Sequence, residues 1–409
     1  MLFYERHEKM VRSLVLQKNE GEEFLKTILE KVKLTCANIE KSSNNPQEIL
    51  KWQDELLSCG ELVSSKIFYW GLKNHLKHHK LTIHWVSAPT ILKTDDQFGK
   101  AVPDLIKTRE ICRSHISPLL KLSNMIVTQG FIGSTHDGAT TTIGREGSDY
   151  SAALFAEAVE AKIVKIWTDV PGVFSSDPKL IPNAKMIPQI SFAKAHELCI
   201  AGAKVLHPDT LLPAIRSNIP VFVGATPRPD LGGTWIGRSM IDPVNNSNIK
   251  NPFLGLGVRK RQVLLNISIG NCLVKNELLS NVFHILKTSD FDCDLVTTND
   301  ANIIIVVDMS RLEHIENLSL VTDSLIGELN KIAPTTIEKQ LALITLVDQG
   351  NFSSSKIFAQ IIDEVKTLKD FNVRLMFKSL GGHSISLLTF EKDVELITRK
   401  LHHLFFEQE

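Results

Sequence analysis

An α/β fold with a buried, mostly parallel sheet is what the sequence calls for, followed by a smaller repeated module. Three features lead there. Short, almost wholly apolar strands such as KIVKIWTDV (162–170) and PVFVGA (220–225) alternate with helical patterns, as a parallel sheet covered on both faces requires. Composition then shifts between Thr226 and Asn251, where Pro227, Pro229, Gly232, Gly233 and Pro243 mark a boundary. Beyond it, a strand–helix–strand–strand–helix pattern occurs twice.

The elements follow in order. Residues 1–80 are expected to be helical, because Leu14, Leu16, Phe24, Leu25, Ile28, Leu29 and Val32 recur at helical spacing, and a second helix begins near Asn45. A strand is expected over IHWVSA (83–88), a helix near 104–120, and one short buried strand over NMIVTQGFIG (124–133). The Gly-, Ser- and Thr-rich STHDGATTTIGREGSD should form a hairpin or loop before a helix starting near Ser148. A helix over 191–203 separates the strands at 162–170 and 220–225. In the last third, QVLLNISI, NVFHILK, FDCDLVTT and ANIIIVVDM form the first copy of the repeat. LALITLVD, KIFAQIIDEV, FNVRLMFKS and HSISLLTFE form the second, with Phe291 and Phe371 at matching positions. One such unit buries a single sheet face, so two should pack together.

Bulk properties exclude several function classes. At 409 residues the chain exceeds one ordinary core. Lys+Arg and Asp+Glu both number 46, so a nucleic-acid or membrane-surface role has no electrostatic support in bulk. The basic run Lys73–Lys80 is local and fits a solvated helix end. No apolar run reaches the 18 or so residues of a membrane helix. The opening MLFYERHEKMVRSLVLQ carries Glu5 and Glu8 and fits an amphipathic helix rather than a targeting signal. Cys36, Cys59, Cys112, Cys199, Cys272 and Cys293 are scattered, with no C-x-x-C and no zinc-type spacing. They suit reduced thiols in a cytoplasmic protein.

The chemistry concentrates between Thr128 and Lys204. Gly130 and Gly133 end an apolar strand, where bare backbone amides can approach an anion. Thr140–Thr142 add hydroxyl donors. Gly144–Asp149 (GREGSD) supplies Arg145, suited to bidentate carboxylate recognition, and then a helix start, which favours negative charge. Ser148 or Asp149 also suits a plain helix cap. No GK[ST] follows the glycines, so this is no P-loop, and it is no dinucleotide fingerprint.

The segments TQGFIGSTHDGATTTIGREGSDYSAALFAEA, IWTDVPGVFSSDPKLIPNAKMIPQISFAKAHELCIAGAKVLHPDTLLPAIRSNIPVFVGAT and DELLSCGELVSSKIF resemble aspartate kinases in order and spacing. The likeness covers nearly the whole chain and is greatest to lysine-regulated, single-function enzymes. It implies an amino-acid kinase three-layer αβα sandwich with a mostly parallel sheet over 1–238, N-terminally incomplete. A linker would follow at 239–261, then two ferredoxin-like ACT domains at 262–338 and 339–409, which bind regulatory amino acids and form a homodimer.

The resemblance also implies roles. Glu61 would hold the α-ammonium of aspartate. Phe131 and Gly133 would line its site, Arg145 would clamp a carboxylate, and Ser148 would donate to it. Asp149 would orient cations near the transferring phosphoryl group; the acceptor carboxylate is already ionised at neutral pH and needs no base. Thr168, Asp169, Phe174, Asp177, Lys179 and Lys204 would serve ATP, with magnesium carried by its phosphates rather than by a protein cage. Phe174 replaces the usual Tyr, and Lys179 replaces an Arg and loses its fork geometry. His207, followed by Pro208, suits a structural turn.

Two departures matter. Family members open with a strand ending K-F-G-G-T-S, and this chain contains no K-F-G-G. The lysine of that strand bridges the phosphates in the family, and losing one such cation costs on the order of 3–4 kcal/mol of transition-state stabilisation, so little or no turnover is expected of the chain alone, or service as a non-catalytic amino-acid sensor. The effector turn is altered as well. Cys272, Lys275, Leu278, Leu279, Asp294 and Thr298 stand at the effector positions. Glu277 occupies the usual glycine position, Asn299-Asp300 replaces Ser-Glu, and Lys275 is placed to act as an internal cation. Lysine remains the candidate effector.

Overall fold

The computed structural model describes residues 2–14, 18–42, 44–144, 146–203, 206, 208–238, 252–270, 275–289, 291–310, 318–349, 354–368, 372–379 and 384–407. Along the chain run α1 (Leu2–Leu14), α2 (Lys18–Lys41), α3 (Pro46–His75), β1 (Ile83–Trp85), α4 (Leu105–Ile111), α5 (Ser117–Leu122), β2 (Met125–Val127), β3 (Ile132–Ser134), β4 (Thr140–Thr142), α6 (Gly147–Ala158) and β5 (Val164–Thr168). Next come β6 (Gln189–Ile190), α7 (Phe192–Ile200), α8 (Pro208–Ser217), β7 (Val221–Ala225) and β8 (Gly233–Ile236). The remainder is β9 (Phe253–Ser268), α9 (Lys275–Thr288), β10 (Asp292–Thr298), β11 (Asn302–Asp308), α10 (Leu318–Asn330), β12 (Thr335–Asp348), α11 (Ser354–Lys366), β13 (Leu375–Lys378), β14 (Ser384–Phe390) and α12 (Val394–His402). Two compact units divide these residues. One takes those within 1–169, 206–229 and 235–238; the other takes those within 170–205, 230–234 and 239–409.

In the first unit, β1 pairs with β2 and β5 with β7, both in parallel. The alternation of apolar strands and helices thus appears as expected, with two differences in extent. The run 124–133 is not one strand. It stops at Val127 and resumes at Ile132, because Phe131 takes a left-handed backbone with φ of 68°, which no strand accommodates. The helix expected near 104–120 is broken by a π turn at Cys112–Ile116, just ahead of Pro118, whose missing N–H cannot join an α-helical ladder.

Helix α3 starts where its caps dictate. The Asn45 side chain accepts from Glu48 N at 3.4 Å, and Pro46 opens the first turn. It buries Cys59, Val63, Ile67 and Trp70 against Val11, Leu25 and Ile28 of α1 and α2. The Lys66 ammonium lies 4.3 Å from the centre of the Trp85 ring, with Tyr69 and Trp70 beside it. Burial lowers its pKa.

In the second unit, one antiparallel sheet has the order β10-β11-β9-β12-β14-β13. The doubled strand–helix–strand–strand–helix order is present: β9-α9-β10-β11-α10, then β12-α11-β13-β14-α12. Val263, Leu265, Ile267, Val282, Leu286, Ile303 and Ile305 make the first core. Phe253, Leu256, Ile344, Leu346, Ile361 and Ile397 make the second. Phe291 is buried in the first; Phe371 lies outside the described residues. Strand β9 spans 16 residues and starts inside the stretch expected to be linker. β8 likewise forms within the Pro- and Gly-rich stretch.

Candidate active site

The first unit gathers its candidate residues at the carboxyl ends of parallel strands, where open α/β sheets bind ligands. Beyond β2, the Gln129 side chain is 2% exposed. Its Nε2 donates to Ser65 Oγ at 2.7 Å, and its Oε1 accepts from Ala88 N at 2.7 Å. Gly130 follows, packed so closely on the start of α6 that a Cβ there would sit 2.7 Å from Ser148 Cα. Phe131, left-handed, donates its N–H to Ser151 Oγ at 2.9 Å, and Ser151 donates to Gly147 O at 2.7 Å. A Cβ on Gly147 would meet the Phe131 ring at 2.8 Å. Glu146, just before α6, is also left-handed, with φ of 51°. Two such non-glycine residues meeting at a helix start are costly, and strain of this kind concentrates at functional sites.

Helix α3 is fastened to the same region. Asp54, Ser58, Glu61 and Ser65 recur at helical spacing on one stripe. Asp54, 1% exposed, accepts from Gly99 N and Thr142 N, both at 2.9 Å, and from Thr142 Oγ1 at 2.6 Å. Burial nevertheless raises its pKa. Ser65 holds Gln129 and also accepts from Trp85 Nε1 at 3.1 Å. Glu61 lies between these two fastenings. Sequence reasoning singled out Glu61 as a candidate and passed over Asp54. Nothing local sets Asp54 apart, since it stands beside Glu55 in WQDELL.

Among the described residues, the Glu61 and Asp149 carboxylates make no hydrogen bond or ion pair. Burial pushes both pKa values up, with Glu146 adding to the effect at Asp149. Half-buried carboxylates without a cation are primed to receive one. Gly133 is buried, and its missing Cβ makes room for Leu92 O at 2.9 Å. At the end of β5, Thr168 Oγ1 donates to Asp169 Oδ1 at 3.0 Å, and both remain accessible. Arg145, Lys204 and His207 lie outside the described residues.

The second unit holds the other nucleotide candidates on a hairpin. Phe174 pairs with Met186, Ser175 N donates to Lys185 O at 2.8 Å, and Ile187 N donates to Val173 O at 2.8 Å. At the tip, the Asp177 carboxylate accepts from Lys179 N at 2.9 Å, while the Lys179 side chain is exposed. Of the effector candidates, Leu278 is 5% exposed in the first core of the doubled sheet, with Leu279 packed against it. Lys275 Nζ donates to Asn299 O at 3.0 Å. Asp294 Oδ1 accepts from Arg259 Nη1 at 2.7 Å, and Thr298 is exposed at the end of β10. Cys272 lies outside the described residues. Among the described residues, no helix is long and apolar enough to cross a membrane.

Strained glycine turns at parallel-strand ends, ahead of a doubled ferredoxin-like sheet, define a protein of the amino acid kinase type, and the amino acid kinase family matches residues 9–225. Lysine-sensitive aspartokinase 3 of Escherichia coli (strain K12) is 37% identical over 354 residues, which are 87% of this chain and 75% of that protein. The aspartokinase of Chlamydia pneumoniae is 29% identical over 353 residues, 86% of this chain and 75% of that protein. The crystal structure of E. coli aspartokinase III with aspartate and ADP matches with a TM-score of 0.79 at 34% identity, over 96% of this chain and 83% of that one. Its complex with lysine and aspartate matches with a TM-score of 0.73 over the same shares. The chain belongs to the amino acid kinase family, among its aspartokinases.

Proposed function

We propose that the chain transfers the γ-phosphoryl group of ATP to the side-chain carboxylate of L-aspartate, giving ADP and 4-phospho-L-aspartate, the entry to lysine, threonine and methionine synthesis. The observation that carries this reading is the stripe of α3. Glu61 is half-buried and, among the described residues, unpaired; it lies between Asp54 and Ser65, which tie the helix to the β4 strand and to the Gly130 turn. A carboxylate so held suits the α-ammonium of an amino acid.

A bond forms between an aspartate Oδ and Pγ as the bond from Pγ to the β-phosphate oxygen breaks. The electron pair leaves with ADP, and no proton has to be removed. The obstacle is the approach of two anions. The amide of Gly130 and those at the start of α6, the Ser148 hydroxyl, and Arg145 and Lys204 by family likeness are the groups that would offset it. By family likeness the nucleotide contacts are Thr168 and Asp169 in the first unit and Phe174, Asp177 and Lys179 in the second. Magnesium bound through the phosphates would neutralise their charge. The same reading puts the protein in the cytoplasm, as a homodimer joined through the doubled sheet, with lysine as its effector.

The test is calorimetry with ADP and with aspartate, followed by incubation with ATP, magnesium, aspartate and hydroxylamine. Saturable heats for both ligands, and aspartyl hydroxamate above a control lacking aspartate, are the expected results. No heat from either ligand, together with no hydroxamate, overturns the reading.

A further inference from the structure

His402 ends α12, 227 positions from Ser175, yet the two side chains meet. Ser175 Oγ and His402 Nε2 lie 3.0 Å apart, and His402 Nδ1 lies 2.8 Å from Glu407 Oε1. His402 is fully buried and stacks on Phe406 at 4.8 Å. A carboxylate only accepts, so Glu407 requires a proton on Nδ1, and in the neutral ring Nε2 accepts from the Ser175 hydroxyl, whose oxygen also accepts from Lys185 N–H at 2.9 Å. Nδ1–H then donates to Glu407, whose Oε2 also accepts from Asn183 Nδ2 at 3.2 Å. One imidazole and its carboxylate thereby grip both arms of the hairpin: Ser175 on the outgoing arm, Asn183 and Lys185 on the return.

The hairpin is fastened beneath as well. Leu256 N of β9 donates to Ser175 O at 2.7 Å. The tip between the two arms carries Asp177 and Lys179, with Phe174 on the outgoing arm. Burial lowers the His402 pKa, against the pull of Glu407, with Lys185 and His403 the other charged or titratable groups acting on it. The ring is therefore neutral at physiological pH, as the proton pattern requires.

We propose that His402 is a positioning residue for nucleotide binding: with Glu407 it holds the 173–187 hairpin in register, and so couples the last helix of the doubled sheet to the ATP-binding tip. The proposal rests on reading Phe174, Asp177 and Lys179 as nucleotide contacts. It gives α12 a function beyond packing, because any change that shifts the helix end moves Ser175 and Asn183 with it.

The test compares the full chain with His402→Ala, His402→Gln and Asn183→Ala. It uses hydrogen exchange of the 173–187 amides together with ADP and aspartate calorimetry. In His402→Ala, exchange over 173–187 should quicken and ADP affinity fall about tenfold, the scale of one lost buried hydrogen bond, while aspartate affinity stays within about twofold. Gln can supply an acceptor near the Nε2 position, so His402→Gln should recover most of the ADP affinity. Asn183→Ala alters an exposed contact and keeps the test open if His402→Ala fails to fold; it should quicken exchange on the return arm alone. Unchanged exchange over 173–187 in both alanine variants overturns the clamp. Quickened exchange with ADP affinity unchanged, both there and in Lys179→Ala, upholds the clamp as structure but overturns the nucleotide reading of the hairpin.

Discussion

Asp54 on α3 and Thr142 on β4 are joined twice, through Oδ1 to the hydroxyl at 2.6 Å and through Oδ2 to the backbone N–H at 2.9 Å. Oδ2 also holds Gly99 N. Truncation to Ala leaves three donors without this acceptor, two of them on buried Thr142, and Asp54→Ala should cost about 3 kcal/mol in denaturant unfolding. Asn can keep both backbone bonds through its oxygen and donate to the Thr142 hydroxyl. It also avoids the cost of burying a charge. Asp54→Asn should therefore stay within about 1 kcal/mol of the parent. Equal losses in the two variants would contradict this account.

Glu61 offers a pH test of the ammonium reading. Its pKa is raised above 4.5 by burial. The folded state therefore holds a proton that the unfolded chain releases. This group's contribution to stability is greatest below 4.5 and declines as pH rises through the folded value. Substrate binding runs the other way, since only the ionised carboxylate attracts an ammonium. Aspartate affinity should weaken as pH falls through that raised pKa. Glu61→Gln should weaken it at neutral pH by about 2 kcal/mol, roughly thirtyfold, and flatten its pH profile. Calorimetry with aspartate across pH reads both effects. A parent-like profile in the Gln variant would remove Glu61 from the site.

The contact of Gly130 with Ser148 predicts a steric effect at one atom. A methyl group would approach the Ser148 Cα to 2.7 Å, against backbone rather than a mobile side chain. Gly130→Ala should cost about 2 kcal/mol, within the range of overpacked sites, and should weaken ADP and aspartate binding together by prising the turn from α6. Melting with and without ligands separates the two effects. A variant of parent stability would show that the turn gives way freely.

Much of this architecture was legible from hydrophobic patterning. The alternating strands and helices of the first unit and the doubled order of the second both follow from burial, which periodicity records. What escaped was set by close approach. LGLGVRKR resembles linker because Gly255, Gly257 and four consecutive positions 258–261, three of them basic, dilute the strand pattern. Yet Gly257 lies where a Cβ would be 2.3 Å from Ala201 O, and Gly255 where it would be 2.8 Å from the Leu198 side chain. These glycines let α7 sit against β9 rather than mark a loop. Asp54 and His402 escaped for a related reason. Each answers to a partner 88 or 227 positions away, and a single sequence holds no record of such pairings.

The effector end of the molecule yields the last prediction. Arg259 of β9 reaches Asp294 on β10 at 2.7 Å and Asp308 on β11 at 3.2 Å, all largely buried. An incoming ammonium aimed at Asp294 must compete with a guanidinium already bound there. Lys275 adds a resident ammonium at the carbonyl of Asn299, in the turn between those two strands. If that group occupies the position an effector lysine would take, Lys275→Ala should strengthen lysine binding about tenfold, the worth of one hydrogen bond to a charged group. Asp294→Asn should abolish lysine binding and destabilise the second unit by about 2 kcal/mol, because Arg259 keeps Asp308 and is not left wholly unpaired. Calorimetry with lysine on the three proteins checks both statements. An unchanged isotherm in Lys275→Ala would mean that the resident ammonium lies outside the effector's path, and that the carboxylate held by Arg259 alone decides how well lysine competes.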